Sequence, residues 1–410
     1  MLPRLPASSF ASACLLLLGI STSSLAADWP QFLGPKRDGV SSETVSAWTG
    51  ELKPLWKKPI GPAHSSPVVA KGIVYAFYEL KGKNTDTLAA IDGKTGETIW
   101  EKSYERDEFE PPFGYGPRGT PVVDGADVFT LGGTGVLASW NAKTGEVNWK
   151  VDTLKQFQVE NLPFGVSGSP LVYEGRVYVN VGGKGAGVVA FDRATGKTLW
   201  QTTNDGMSYS SPIVVGTGEA ARIVFLTKQN LIAFHPKTGE VAWKVPYQDQ
   251  LSESATAPIV VGQTLYGSSV TLGSIALDLS APSPKTLWKK RELNCYFSTP
   301  VAVGDDLYML NGVLNISPSI TLRCVEGKTG KIRWEKSGIG KYHAAIIRTA
   351  GDKLLMLDDG GSLTLFEANK QEFKQLAKSK VCGPTWAHPA LADGIVYLRD
   401  EKNLMAFRVN

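Results

Sequence analysis

The chain has 410 residues, 42% of them hydrophobic and 20% charged, with a formal net charge of +4. So small an excess, with no Lys/Arg cluster, argues against nucleic acid as a partner. After residue 26 no run is long and apolar enough to cross a bilayer, which takes about 20 residues, so no membrane span is expected.

Residues 1–26 read as a cleaved export signal. Arg4 gives a basic start, residues 14–20 an apolar run, and Ser24-Leu25-Ala26 the small residues of a cleavage site. Cys14 stands at the head of the apolar run rather than behind it, so no lipid anchor is expected. The mature protein is placed in the periplasm or outside the cell. Residues 27–50 form an N-terminal extension. Cys295, Cys324 and Cys382 follow, an odd number at spacings that match no metal site, which allows one disulfide at most.

From residue 51 the chain repeats. Ala90-Ile91-Asp92-Gly93-Lys94-Thr95-Gly96-Glu97-Thr98-Ile99-Trp100 is the clearest copy. Further copies end at Trp149, Trp200, Trp243, Trp288 and Trp334. The copy ending at Trp288 is lengthened, and a worn copy after Leu365 has lost its Trp and ends near Leu376. A second marker, a small residue followed by Pro and a β-branched run, recurs in phase. It stands at Ser66-Pro67, Thr120-Pro121, Ser169-Pro170, Ser211-Pro212, Ala257-Pro258 and Thr299-Pro300, with Ala344-Ala345 and His388-Pro389 in the two remaining places. These places lie 42 to 54 residues apart, the length of a four-stranded propeller blade. Alternating apolar residues and Thr-Gly turns predict strands and hairpins, with no helical pattern.

The last unit stops before any outer strand, whereas Leu55-Trp56-Lys57-Lys58 precedes the first Pro place. The fold expected for residues 51–410 is therefore an all-β, eight-bladed β-propeller of four-stranded antiparallel blades. The N-terminal strand completes the last blade and closes the ring, leaving no open sheet edge between the ends.

The motif Ala-x-Asp-x-x-Thr-Gly-Lys/Glu-x-x-Trp resembles the tryptophan-docking motif of the pyrroloquinoline quinone (PQQ)-like propellers. The resemblance implies a structural docking role for Trp56, Trp100, Trp149, Trp200, Trp243, Trp288 and Trp334. The segment from Asp28 to Gly39 is similar to the opening of exported PQQ-like repeat proteins. Two branches of the family bear on function. The quinoprotein dehydrogenases hold PQQ and calcium in the funnel, with an Asp base and usually a vicinal disulfide. The propeller subunit of the outer-membrane β-barrel assembly machinery has no cofactor and presents a surface to a partner.

The loops before the Pro places are expected to crowd around the channel mouth. Three residues before each place stand His64, Arg118, Ser167, Tyr209, Ala255, Phe297, Tyr342 and Trp386, with Tyr115, Phe164, Glu253, Tyr296, His343 and His388 nearby. His64, Tyr115, Arg118, Tyr209, Glu253, Tyr296, Tyr342, His343, Trp386 and His388 are the candidates for a funnel ligand site, because aromatics with a few polar groups suit a pocket. No catalytic residue and no metal site are assigned. There is no Cys-Cys pair, and the few carboxylates near the funnel assemble neither a calcium site nor a base. The reading is a monomeric, non-catalytic scaffold for an envelope protein partner, without a cofactor. The alternative is a PQQ- and calcium-dependent alcohol or sugar dehydrogenase. A carbohydrate-binding or hydrolytic propeller using the funnel His and Arg is a third possibility.

Overall fold

The computed structural model describes residues 28–312 and 318–410, so the expected export signal lies outside the described residues. Among the described residues eight sheets succeed one another along the chain. They make blade 1 (68–105), blade 2 (122–152), blade 3 (171–202), blade 4 (213–246), blade 5 (259–290), blade 6 (301–337), blade 7 (344–380) and blade 8 (390–408). Blade 8 is completed by Trp56–Pro59, whose residues pair antiparallel with Asn403–Arg408, Trp56 opposite Ala406. The ring therefore closes as its sequence implied. Two features were not foreseen. Val40–Thr44 adds a fifth strand, parallel to the inner strand Ala344–Ala350 of blade 7, and a five-residue helix, Thr153–Phe157, follows blade 2.

The repeat motif folds its own turn. Asp92 Oδ1 accepts the N–H groups of Lys94 and Thr95, and Thr95 Oγ1 accepts that of Glu97. Asn141 and Asp192 do the same in blades 2 and 3. A short polar side chain bonding two residues ahead competes with regular structure and fixes the turn. Gly96 closes it at φ 75°, a region open to glycine at little cost.

That turn is where the preceding blade docks. The indole N–H of Trp56 donates to Gly93 O at 2.8 Å, that of Trp100 to Ala142 O at 3.1 Å, and that of Trp149 to Arg193 O at 3.0 Å. Trp200, Trp288 and Trp334 repeat the contact on Pro236, Gly327 and Asn369. The indole also lies flat on the motif glycine. A Cβ placed on Gly96 would come within 2.7 Å of Trp56, and one on Gly145 within 2.5 Å of Trp100. The glycine thus serves both the positive φ and the approach of the ring. In blade 7, Leu365 pairs with Ala377 as Ala90 pairs with Trp100. The lost tryptophan therefore corresponds to Ala377, one residue beyond the Leu376 expected from spacing. Residues of the extension pass this junction: Leu52 N–H donates to Ser379 Oγ, and Trp48 and Leu52 pack on the core that contains Ala377.

The small residue before each proline has its own task. His388 N–H donates to Ser66 Oγ, Ser66 N–H to Thr120 Oγ1, Thr120 N–H to Ser169 Oγ, and Ser169 N–H to Ser211 Oγ, at 2.9 to 3.3 Å. Ala257 N–H reaches Thr299 Oγ1 at 3.0 Å. A belt of hydroxyls thus ties neighbouring inner strands across five of the eight blade boundaries. Between blades 4 and 5, where Ala257 offers no hydroxyl, Ser210 Oγ donates to Thr256 O instead.

The N-terminal extension closes the channel from the far side. Asp28 Oδ1 accepts Lys71 N–H at the turn that ends the inner strand of blade 1. Trp29 exchanges both backbone bonds with Val69, and Pro30 O accepts Val123 N–H in blade 2. Arg37 donates to Ser169 O and Pro170 O in blade 3, and Ser46 N–H reaches Val409 O in blade 8. Trp29, Leu33 and Arg37 are buried in consequence.

Docking through a single contact predicts coupled substitutions. Trp100→Ala removes a buried indole and costs about 3–5 kcal/mol. Gly145→Ala, at φ 73° and against the same ring, costs at least about 1 kcal/mol. Urea unfolding of the double variant gives a loss smaller than the sum, because the clash leaves with the indole. Strict additivity contradicts the docking.

Candidate functional site

A cavity of about 250 Å³ sits in the channel, above the extension and below the loops. All eight residues that stand three before a Pro place line it, from His64 round to Trp386. Of the ten candidates, nine line the cavity. Tyr115 does not: it points outward, 48% exposed. Cys295 and Cys382, although in funnel loops, are not among the lining residues. They and Cys324 are free and buried, and burial pushes their thiols up, Cys324 to about 11, which leaves them unreactive near neutral pH.

Four residues, His64, Phe113, Tyr342 and Trp386, line both this cavity and a wider outer one of about 580 Å³. They form the partition between them. Trp386 is its centre, with ring centroids 5.3 Å from His64, 5.5 Å from Phe297 and 6.1 Å from both Phe113 and Tyr342. Phe113 belongs to the Pro/Gly-rich segment 111–117, which folds over the mouth. His64 holds Phe113 O at 2.8 Å, and Arg118 donates to Pro112 O at 2.9 Å. The floor is Phe32 of the extension, edge-on to His388 at 5.0 Å.

The polar groups inside are mostly committed. Tyr296 donates its hydroxyl to Glu253, the one carboxylate among the lining residues. The guanidinium of Arg118 is held by loop carbonyls, and burial lowers its pKa to about 10. His343 and His388 face each other at 5.1 Å. His343 Nδ1 lies 3.4 Å from Ser298 Oγ, while its Nε2 has no partner. Burial drives all three channel histidines down, His343 to about 3 and His64, further opposed by Arg118, to about 4. They are neutral near pH 7.

Among the described residues no group of three or more His, Cys, Asp or Glu is arranged to hold a metal. Calcium takes six to eight oxygen ligands, carboxylates prominent among them, and Glu253 bonded to Tyr296 does not meet that need. PQQ bears three carboxylates, and Arg118 is the one cation lining the cavity. The residues present do not fit the pair.

The spacing rule missed Phe32, Phe113 and the hydroxyls of Ser66, Thr120, Ser169 and Ser211, which all line the cavity. The hydroxyls were visible as the Ser or Thr that precedes Pro. Phe32 and Phe113 lie in segments without a period.

A family model described as outer membrane protein assembly factor BamB matches residues 84–336. A protein of that name from Burkholderia pseudomallei is 24% identical over 268 residues, 62% of this chain and 61% of its own length. The chain thus spans about three fifths of that relative. The dehydrogenase subunit of a quinone-dependent alcohol dehydrogenase from Gluconobacter oxydans is 29% identical over 180 residues, 40% of this chain and 22% of that protein. The crystal structure of BamB from Moraxella catarrhalis superposes with a TM-score of 0.60 at 15% identity, covering 88% of this chain and 98% of that one. At that identity the likeness shows the fold alone.

The buried histidines give a pH signature. They charge in the unfolded chain near pH 6.5 and stay neutral when folded. Unfolding therefore takes up protons below about pH 6.5. Each histidine's share of stability is intact above that pH and falls below it by up to about 1.4 kcal/mol per pH unit. For His64 the fall ends near pH 4. In an NMR titration the imidazoles of His343 and His388 show no inflection between pH 5 and 8. A normal inflection near 6.5 contradicts their placement.

Proposed function

The chain belongs to the family of the outer membrane protein assembly factor BamB, and from that premise we propose that it is a non-catalytic propeller scaffold that binds a protein partner in the cell envelope. The carrying observation is the family match over residues 84–336, which runs from blade 1 to blade 6. The cavity supports the reading from the other side. Its one carboxylate is engaged by Tyr296 and its one arginine by loop carbonyls, so no free carboxylate stands among the lining residues to take a proton from an alcohol. An export signal at residues 1–26 would deliver the chain to the periplasm, where such a partner resides.

The face offered to a partner is the funnel face. Phe113 is 68% exposed there, with Leu251 and Tyr342 also exposed on loops around the mouth, and exposed aromatics mark interaction surfaces.

Deleting the gene lowers the amount of assembled outer-membrane β-barrel protein, and a copy carrying Glu253→Gln restores it as well as the unaltered gene does. A deletion without effect on barrel levels, together with dye-coupled alcohol oxidation by the purified protein given PQQ and calcium, overturns the scaffold reading.

A further inference from the structure

We propose that the outer cavity binds an aliphatic polyamine, with its ammonium groups on the carboxylates of blades 7 and 8 and its stem against Trp386. The proposal rests on this cavity alone and stands whether or not the scaffold reading does.

Charge sets the first limit. The cavity, of about 580 Å³, is lined by Asp358, Asp359, Asp400 and Glu401, with Lys341 as the one lining Lys or Arg. The wall thus carries a formal charge of −3 in a chain whose total is +4. His64, neutral near pH 7, adds nothing to offset it. The two acidic pairs stand at the same place in successive blades, the turn between second and third strands. Asp358 and Asp359 precede Ser362–Glu367, and Asp400 and Glu401 precede Asn403–Arg408. Among the described residues none of the four forms an ion pair. The neighbouring Arg399 and Lys380 donate to backbone carbonyls instead, Arg399 to Gly61 and Asp400, Lys380 to Gly360.

One carboxylate oxygen is left over. Asp358 is only 8% exposed. Its Oδ1 accepts Ser362 N–H at 2.9 Å, whereas its Oδ2 accepts nothing among the described residues. Oδ2 is nonetheless not sealed from solvent, and of the two cavities Asp358 lines the outer one alone, so this oxygen opens there. A largely buried carboxylate with neither a counter-ion nor its full set of bonds is costly, and an ammonium group supplies both. Asp400 beside it is ionised. Burial raises its pKa, but the N–H groups of Lys402, Gly383 and Asn403 outweigh burial and hold the carboxyl below its usual range.

The arrangement sets the second limit. The four carboxylates are not grouped to share a metal ion, so the negative charge is spread along the wall rather than focused on a point. A cation with its charges spaced along a stem matches that spread. A single ammonium or guanidinium leaves most of the wall uncompensated, and an anion is repelled. The lining also includes Phe113, Tyr342 and Trp386, whose faces attract ammonium groups and cover methylenes. The volume falls within the roughly 300–1,000 Å³ of small-molecule pockets.

The test uses the exported chain with spermidine, N-acetyl-lysinamide and calcium at matched, low ionic strength. Titration calorimetry with spermidine gives one saturable site that weakens as sodium chloride is added. N-acetyl-lysinamide, with one ammonium, binds about tenfold more weakly, and calcium does not displace spermidine. Asp358→Asn, which keeps the acceptor for Ser362, weakens spermidine about tenfold. Trp386→Leu weakens it about threefold. Glu401→Gln, at an exposed position, also weakens it about threefold, which keeps the test valid if the Asp358 variant does not fold. Absence of saturable spermidine binding overturns the proposal. So does an affinity that none of the three substitutions changes, or N-acetyl-lysinamide or calcium binding as tightly as spermidine. Loss of outer-membrane barrel assembly on gene deletion is a separate measurement, so failure of one reading is distinguishable from failure of the other.

Discussion

The contact on which the ring depends is an indole lying on a glycine. Trp56, Trp100, Trp149, Trp200 and Trp288 each span the boundary between two blades, donating to a carbonyl of the next turn while covering the glycine at its tip. Neither partner tolerates replacement alone, because the turn needs a positive φ and the ring needs the missing Cβ. A blade by itself buries little. Stacked on its neighbour it becomes part of a core that runs from Phe129 to Phe191 across one boundary and from Tyr308 to Phe366 across another. Closure by Trp56–Pro59 makes the last boundary like the others, with Trp56 docked on blade 1.

Two further devices reinforce the same joints from inside. The hydroxyl belt links inner strands at the channel wall, and the extension threads across the channel. The weakest boundary by sequence is that after blade 7, where Ala377 stands in place of tryptophan. It is there that Trp48 and Leu52 of the extension pack and that Val40–Thr44 adds a strand. The extension is thus part of the fold, and it also decides what the channel can do. With Phe32 as a floor the cavity in the channel is bounded on the side of the extension.

Much of this was legible because repetition multiplies weak signals. The blade count, the ring closure and the identity of the cavity's upper wall follow from two markers in phase, and a fixed offset of three residues from each Pro place put eight side chains in one ring. Phe32 and Phe113 were not legible, because they lie in segments without a period, where position is decided by contacts distant in sequence. Phe32 reaches His388 across the channel, and Phe113 is placed by His64. Tyr115 failed for the opposite reason: it is close in sequence to lining residues, but the turn at Gly114 and Gly116, both at positive φ, faces it outward. The cysteines gave no guidance, since a buried free thiol and a paired one share the same spacing. The docking register in blade 7 slipped by one residue because its turn is longer, Leu365 pairing with Ala377 where Ala90 pairs with Trp100, and no tryptophan marks its end.

Hydrogen exchange of the indole N–H groups tests most directly whether docking makes the ring one cooperative unit. Six of them, on Trp56, Trp100, Trp149, Trp200, Trp288 and Trp334, donate to carbonyls of the next blade. If the joints break only together, all six exchange with one free energy, equal to that of global unfolding, and Trp56 at the closure is no faster than the rest. A graded series of free energies, with some indoles exchanging by opening of a single blade, would contradict it.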